Sequence, residues 1–206
     1  MSCLRLGVLV SGRGSNLQAI IDAAKKGEIP AEVVVVISDQ PDTFALTRAR
    51  ANNIPSIYIG FQDFPTKEKY EEKVTAVLKQ HKVELVCLAG YMRVLGVNML
   101  EAFPDRIMNI HPALLPAFPG LHAQARAWEH GVRFSGCTVH FVDEGVDTGP
   151  IILQAVVPVL AEDTAETLAA RILEQEHKIY PAAIRLFAQN RLNIQGRKVY
   201  LKTGPA

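Results

Sequence analysis

Residues 6–37 read LGVLVSGRGSNLQAIIDAAKKGEIPAEVVVVI, and the pattern in this stretch decides the fold. Leu6–Val10 and Val33–Ile37 are short apolar runs rich in β-branched residues, the composition of strands buried on both faces of a parallel sheet. Between them Leu17, Ile20, Ile21 and Ala24 recur at helical spacing, and Gly27 and Pro30 close the segment. Strand, helix and strand in that order form a crossover unit, which is right-handed in nearly all proteins.

The alternation continues downstream. Thr43–Asn52 reads as a helix and Ser56–Ile59 as a strand. Thr66–His81 is a charged amphipathic helix carrying Tyr70, Val74, Val77 and Leu78, and Glu84–Ala89 and Arg106–Ile110 are further strands. The fold class is therefore α/β, a mainly parallel Rossmann-like sheet with helices on both faces. After Gly131 the pattern changes. Cys137–Val142 and Ile151–Val159 are joined by Asp143–Pro150, too short a link for a crossover helix, so an antiparallel extension is expected over residues 137–159. Asp163-Thr164-Ala165-Glu166 has capping-box spacing and opens a long helix with Leu168, Ile172, Ile179 and Phe187, which Pro181 should bend or interrupt. With no repeat, linker or low-complexity tract, residues 1–206 read as a single domain.

Composition narrows the function classes. The hydrophobic fraction of 49% and charged fraction of 21% are those of a globular protein, and the net charge is +1 with no long run of one sign. Neither nucleic acid nor a membrane surface is expected as a partner, because neither has an electrostatic footprint here. The apolar start is too short for a secretory signal, and no run approaches the roughly 20 apolar residues that span a bilayer. Cys3, Cys87 and Cys137 form no CxxC pair and read as inert thiols in a reducing cytoplasm. His111, His122, His130 and His140 lack helical or finger-type spacing, so no metal is expected.

Ligands in such folds bind beyond the carboxyl ends of the strands. Three unusual segments follow predicted strands: Ser11–Asn16, Gly90–Leu95 and Asn109–Gly120. In Ser11-Gly12-Arg13-Gly14-Ser15-Asn16 the glycines let backbone N–H groups approach an anion, and the helix start adds donors and a favourable dipole. A phosphate monoester suits this loop. A dinucleotide is a weaker fit, since Leu17 takes the third glycine position of GxGxxG, although Asp39 stands where a ribose-binding acid would. A plain turn capped by Ser15 or Asn16 is the structural alternative.

Asn109-Ile110-His111-Pro112 ends the fifth strand and runs into a loop stiffened by Pro112, Pro116 and Pro119. Two residues apart on extended backbone, Asn109 and His111 project to one face, an amide donor beside an imidazole. That pairing suits attack of an amine on a carbonyl carbon, in which an oxyanion needs a donor and the amine's proton needs an acceptor. Asp147 is the candidate acceptor, or the group that orients the imidazole. Neighbouring Asp143 and Glu144 are expected to raise its pKa. A structural strand-end histidine and a solvated acidic turn are the alternatives for these same residues.

Ser11–Asn16, Ala89-Gly90-Tyr91-Met92-Arg93, Asn109-Ile110-His111-Pro112-Ala113-Leu114-Leu115-Pro116 and Asp147-Thr148-Gly149-Pro150, in this order, resemble the phosphoribosylglycinamide formyltransferase family. The likeness covers nearly the whole chain, Gln175-Glu176-His177 and Tyr180-Pro181 included; Arg13 and Ala113 depart from it, and residues 121–130 are less family-like. The resemblance implies formyl transfer from 10-formyltetrahydrofolate, a co-substrate, to the amine of glycinamide ribonucleotide in purine synthesis, with small molecules as the only partners and a homodimer left open. It implies Asn109, His111 and Asp147 as the catalytic trio, Gly14, Ser15 and Asn16 as the phosphate loop, and Glu176 at the glycinamide end. Met92, Arg93, Val94 and Leu95, with Asn109, Glu144, Gly145 and Val146, would line the folate pocket. Other readings are a formyl-folate hydrolase using the same trio with water, an NAD-linked oxidoreductase, and a non-catalytic nucleotide-binding module.

Overall fold

A computed structural model describes residues 3–202. The chain divides into two compact units, residues up to Asn109 and residues from Ile110 onward.

The first unit is built from β1 (Leu4–Val10), α1 (Ser15–Lys25), β2 (Ala31–Ser38), α2 (Phe44–Ala51), β3 (Ser56–Tyr58), α3 (Lys67–Gln80), β4 (Leu85–Leu88), α4 (Val97–Ala102) and β5 (Ile107–His111), whose last two residues belong to the second unit. Its strands lie in the order β3-β2-β1-β4-β5, and each neighbouring pair is parallel. The order reverses between β1 and β4. Right-handed crossovers then put α1 and α2 on one face and α3 and α4 on the other; α1 packs on α2, and α3 on α4. The expected alternation holds, and Leu6, Val8, Val10, Val36, Leu85 and Cys87 are fully buried in the middle strands. The six-residue α4 was not anticipated. It buries only Met99, and under two turns leave no periodicity to read.

The second unit contains α5 (Ala123–Glu129), β6 (Phe134–Phe141), β7 (Ile151–Pro158), α6 (Ala165–Ala188), β8 (Leu192–Gln195) and β9 (Lys198–Leu201). The antiparallel extension is present: β6 and β7 pair from Phe134↔Pro158 to His140↔Ile151. A hairpin of β8 and β9 adds to β7 through Ile151↔Lys198, giving the order β6-β7-β9-β8. The sequence held its signal, since Leu192 and Ile194, then Val199 and Leu201, alternate on either side of Gly196.

Of the bend or interruption expected at Pro181, the interruption does not occur: α6 runs unbroken through the proline. A proline inside a helix costs about 3 kcal/mol. Here Leu168, Ile172, Tyr180, Ala183 and Ile184 are fully buried in a helix that packs on β6 and β7, and that burial outweighs the lost bond. The cap is one residue later than expected. Thr164 and Thr167 form a reciprocal capping box, while Asp163 takes both ends of the Arg171 guanidinium at 2.6 and 2.8 Å and the Leu160 N–H at 2.7 Å. Among the described residues no helix is long and apolar enough to cross a membrane. Cys87 and Cys137 are buried and Cys3 is exposed, and none of the three is in a disulfide.

Candidate active site

The reversal of strand order between β1 and β4 leaves a crevice where the loops after these two strands part, the usual ligand position of an open α/β sheet. A hollow of about 360 Å³ lies there, lined by Ser11–Asn16 together with Ala89, Gly90 and Met92. Gly14 occupies the N-cap position of α1 with φ +70, and no side chain caps the helix. The plain-cap reading of Ser15 or Asn16 therefore fails, and the helix dipole opens toward the hollow. Only glycine suits this position, because a Cβ would come within 2.7 Å of the Ala45 Cβ in addition to the cost of positive φ. The loop is held from behind by α2: the Ala45 N–H donates to Gly12 O at 3.1 Å, and Arg48 Nε to Arg13 O at 3.1 Å.

The dinucleotide reading loses its acid. Asp39 is 2% exposed and its Oδ2 accepts from Arg93 Nε at 2.7 Å, so it is spent on an internal ion pair. Arg93 in turn lies 4.1 Å over the Phe61 ring. Residues 91–95 have no regular structure, yet their side chains alternate. Tyr91 and Leu95 turn inward and Arg93 reaches Asp39, while Met92 and Val94 are 63% and 52% exposed. Tyr91 OH meets Tyr70 OH at 2.7 Å, and the Gly96 N–H donates to Glu71 Oε1 at 2.7 Å. The segment presents an anchored apolar edge, the kind of surface a flat aromatic ligand packs on.

In the second unit the structure brings His111 and Asp147 together, with His140 as a third member. His111 Nδ1 is 3.1 Å from Asp147 Oδ2, and His140 Nε2 is 3.5 Å from Asp147 Oδ1. The Gly120 N–H also donates to Asp147 Oδ2 at 2.8 Å. On its other side the His111 ring meets Phe118 O through Nε2 at 2.8 Å. The loop after β5 is fastened by Thr138, which donates to Ala113 O and accepts from the Leu115 N–H, and by Gln154, which donates to Leu115 O. The rigidity expected from its prolines thus has a second source in β6 and β7.

Burial holds the His111 imidazole below its ordinary value of 6.5 against the opposing pull of Asp147 and the Phe118 carbonyl. Burial would raise Asp147, but the His140 hydrogen bond, the Gly120 N–H and His111 outweigh it and leave the carboxyl below 3.8. This reverses the expectation that Asp143 and Glu144 would raise it. Asp143 Oδ1 is taken up by the Gly145 N–H at 3.1 Å and the Thr148 hydroxyl at 2.6 Å, which close the turn on itself. Behind the turn, a Cβ on Gly149 would overlap the Phe141 carbonyl, so the strand pair sets the position of residues 147–149.

Of the remaining expected residues, Asn109 lies on β5 opposite Leu88 of β4, and two positions before His111 on the same strand. Glu144 and Val146 are exposed on the turn. Glu176 is 6% exposed on the stripe of α6 that also buries Ile172 and Tyr180, a carboxylate where the period calls for an apolar residue. It helps burial push the Cys137 thiol up to about 12. His140 was missed as a member of the site. Its signal was an imidazole between apolar Val139 and Phe141 in a predicted strand, where a buried donor needs a partner. Among the described residues no group of three His, Cys, Asp or Glu side chains could hold a metal ion.

The family model described as formyl transferase matches residues 4–184. The trifunctional purine biosynthetic protein adenosine-3 of Drosophila pseudoobscura pseudoobscura is 50% identical over 190 residues, 91% of this chain. The chain spans only 14% of that relative's length. The phosphoribosylglycinamide formyltransferase of Haemophilus influenzae is 42% identical over 197 residues, 96% of this chain and 93% of the relative. The crystal structure of glycinamide ribonucleotide transformylase 1 from Symbiobacterium toebii superposes with a TM-score of 0.97 at 54% identity, covering 98% of this chain and 95% of that one.

Proposed function

This chain belongs to the formyl transferase family, and from that membership we propose that it moves the formyl group of 10-formyltetrahydrofolate to the amine of glycinamide ribonucleotide in purine biosynthesis. The observation that carries the reading is the pair of His111 and Asp147, a buried imidazole that burial keeps neutral, 3.1 Å from a carboxylate that its neighbours keep ionised. Such a pair can take up and pass on the proton released when an amine adds to a carbonyl carbon.

The roles follow from the contacts. Both neighbours of the His111 ring, the Phe118 carbonyl at Nε2 and the Asp147 carboxylate at Nδ1, are acceptors, so the neutral ring donates to one of them and the protonated ring satisfies both. The ring is thus set to take up a proton, and Asp147 stabilises the imidazolium that forms. Asn109 donates from its amide to the oxyanion of the tetrahedral intermediate, and the positive charge of protonated His111 nearby adds to its stabilisation. The amine nitrogen forms its bond to the formyl carbon, the bond from that carbon to the folate nitrogen breaks, and the proton lost by the amine passes by way of His111 and Asp147 to the departing folate nitrogen, which leaves as a neutral amine. Gly14, Ser15 and Asn16 bind the ribonucleotide phosphate at the uncapped start of α1, and buried Glu176 binds the glycinamide end. Met92, Arg93, Val94 and Leu95, with Asn109, Glu144, Gly145 and Val146, form the folate pocket, where Arg93 acts by holding the backbone. We read the two units as one formyltransferase domain working in the cytoplasm on small molecules.

The phosphate loop favours this reading over a formyl-folate hydrolase, because water as nucleophile needs no phosphate site. One assay decides. Incubated with 10-formyltetrahydrofolate, the protein should release tetrahydrofolate only when glycinamide ribonucleotide is added. Release without it identifies a hydrolase, and no release in either case from folded protein refutes the enzyme.

The pH profile is a further check. The active form carries a neutral His111, so kcat/KM should hold its neutral-pH plateau to below pH 6.5 and fall only as the ring takes up a proton at its depressed value. An acid limb centred above pH 6.5 would contradict this assignment.

A further inference from the structure

Ser11 belongs to the phosphate loop, but its hydrogen bonds go to the segment after β4. Its N–H donates to Gly90 O at 3.1 Å, and its Oγ accepts from the Met92 N–H at 3.0 Å. Tyr91 and Arg93 on either side of Met92 are fixed through their side chains, to Tyr70 and Asp39. Met92 is fixed through its backbone, and its side chain is left 63% exposed. Both segments line the same hollow. On the far side the loop hangs from α2 through Gly12 O and Arg13 O, so Ser11 is the end of the loop through which any tightening passes to Met92.

We infer that Ser11 is a positioning residue that couples the two substrate sites: an anion seated on the loop stiffens Ser11, and Ser11 stiffens the apolar edge at Met92. This rests on the phosphate and folate assignments above. An anion on the N–H groups at the start of α1 orders the loop backbone. A second ligand that packs on Met92 and Val94 then meets an edge already ordered, and loses less conformational freedom on binding. The effect is reciprocal, because a coupling free energy acts equally on both ligands. The Ser11 hydroxyl is the one link in this path that a side-chain change removes without touching the phosphate-binding glycines.

Calorimetric titration with tetrahydrofolate, with and without saturating inorganic phosphate, tests the coupling. In the parent protein phosphate should tighten tetrahydrofolate binding about fivefold, the low end of couplings between two sites. Ser11→Thr keeps the hydroxyl and should keep that factor. Ser11→Ala should melt close to the parent and bring the coupling factor close to one, whatever its affinity for each ligand alone. If both ligands bind the parent independently, or if Ser11→Ala retains the factor, the inference is overturned while the function reading stands. If phosphate does not bind the parent at all, the loop assignment falls and the inference falls with it.

Discussion

Asp147→Asn should fold like the parent and lose about a thousandfold in kcat, within the range of general acid–base contributions. The fold should survive because the substitution is local and nearly isosteric. Residue 147 sits at φ 56, a conformation asparagine adopts as readily as aspartate, and an amide oxygen can still accept the Gly120 N–H. What the amide cannot do is carry the negative charge that stabilises a protonated His111, or accept a proton itself. Circular dichroism and thermal melting establish the fold, and single-turnover kinetics with both substrates measure the loss. Activity within tenfold of the parent would remove Asp147 from the mechanism. Acid should also destabilise the parent through this pair. Both groups bind protons less readily folded than unfolded, so stability falls with pH, from about 6.5 downward for His111 and from about 3.8 downward for Asp147.

Arg93→Ala should cost about 3 kcal/mol, the penalty for stranding one member of a buried ion pair. For a chain of this size that lowers Tm by roughly 6–12 °C. Asp39 keeps only 2% of its surface in water, and among the described residues its Oδ1 has no hydrogen-bond partner. The substitution also removes the guanidinium from the face of Phe61. Adding Asp39→Asn to Arg93→Ala should recover most of the loss, because the stranded charge is gone. A shift below 2 °C for the single variant would mean that water reaches Asp39 and the pair matters little. The folate KM should rise as well, since segment 91–95 loses its central anchor.

The strand and helix pattern was legible because the first unit consists of buried parallel strands and amphipathic helices, whose periods differ. Pro181 does not interrupt α6 because the cost of a proline is local while the burial of Tyr180, Ala183 and Ile184 that offsets it is not. Asp143 and Glu144 misled for a like reason. Counting charges near Asp147 along the chain overlooked that Asp143 is spent within its own turn and that His140 arrives from β6. Arg93 was placed in the folate pocket by likeness to relatives, and only its side-chain contacts revealed a partner 54 residues away.

By itself the sequence determined the α/β class, the glycine loop at the first strand end and the placing of Asn109 and His111 two apart on one strand, because each depends on residues within one or two turns of each other. Tertiary structure decided the strand order that opens a hollow between β1 and β4, the absence of a side-chain cap on α1, and the meeting of His111, His140 and Asp147. It also decided the protonation of His111 and Asp147. Burial and hydrogen bonding set a pKa, and both come from residues that only the folded backbone brings within reach.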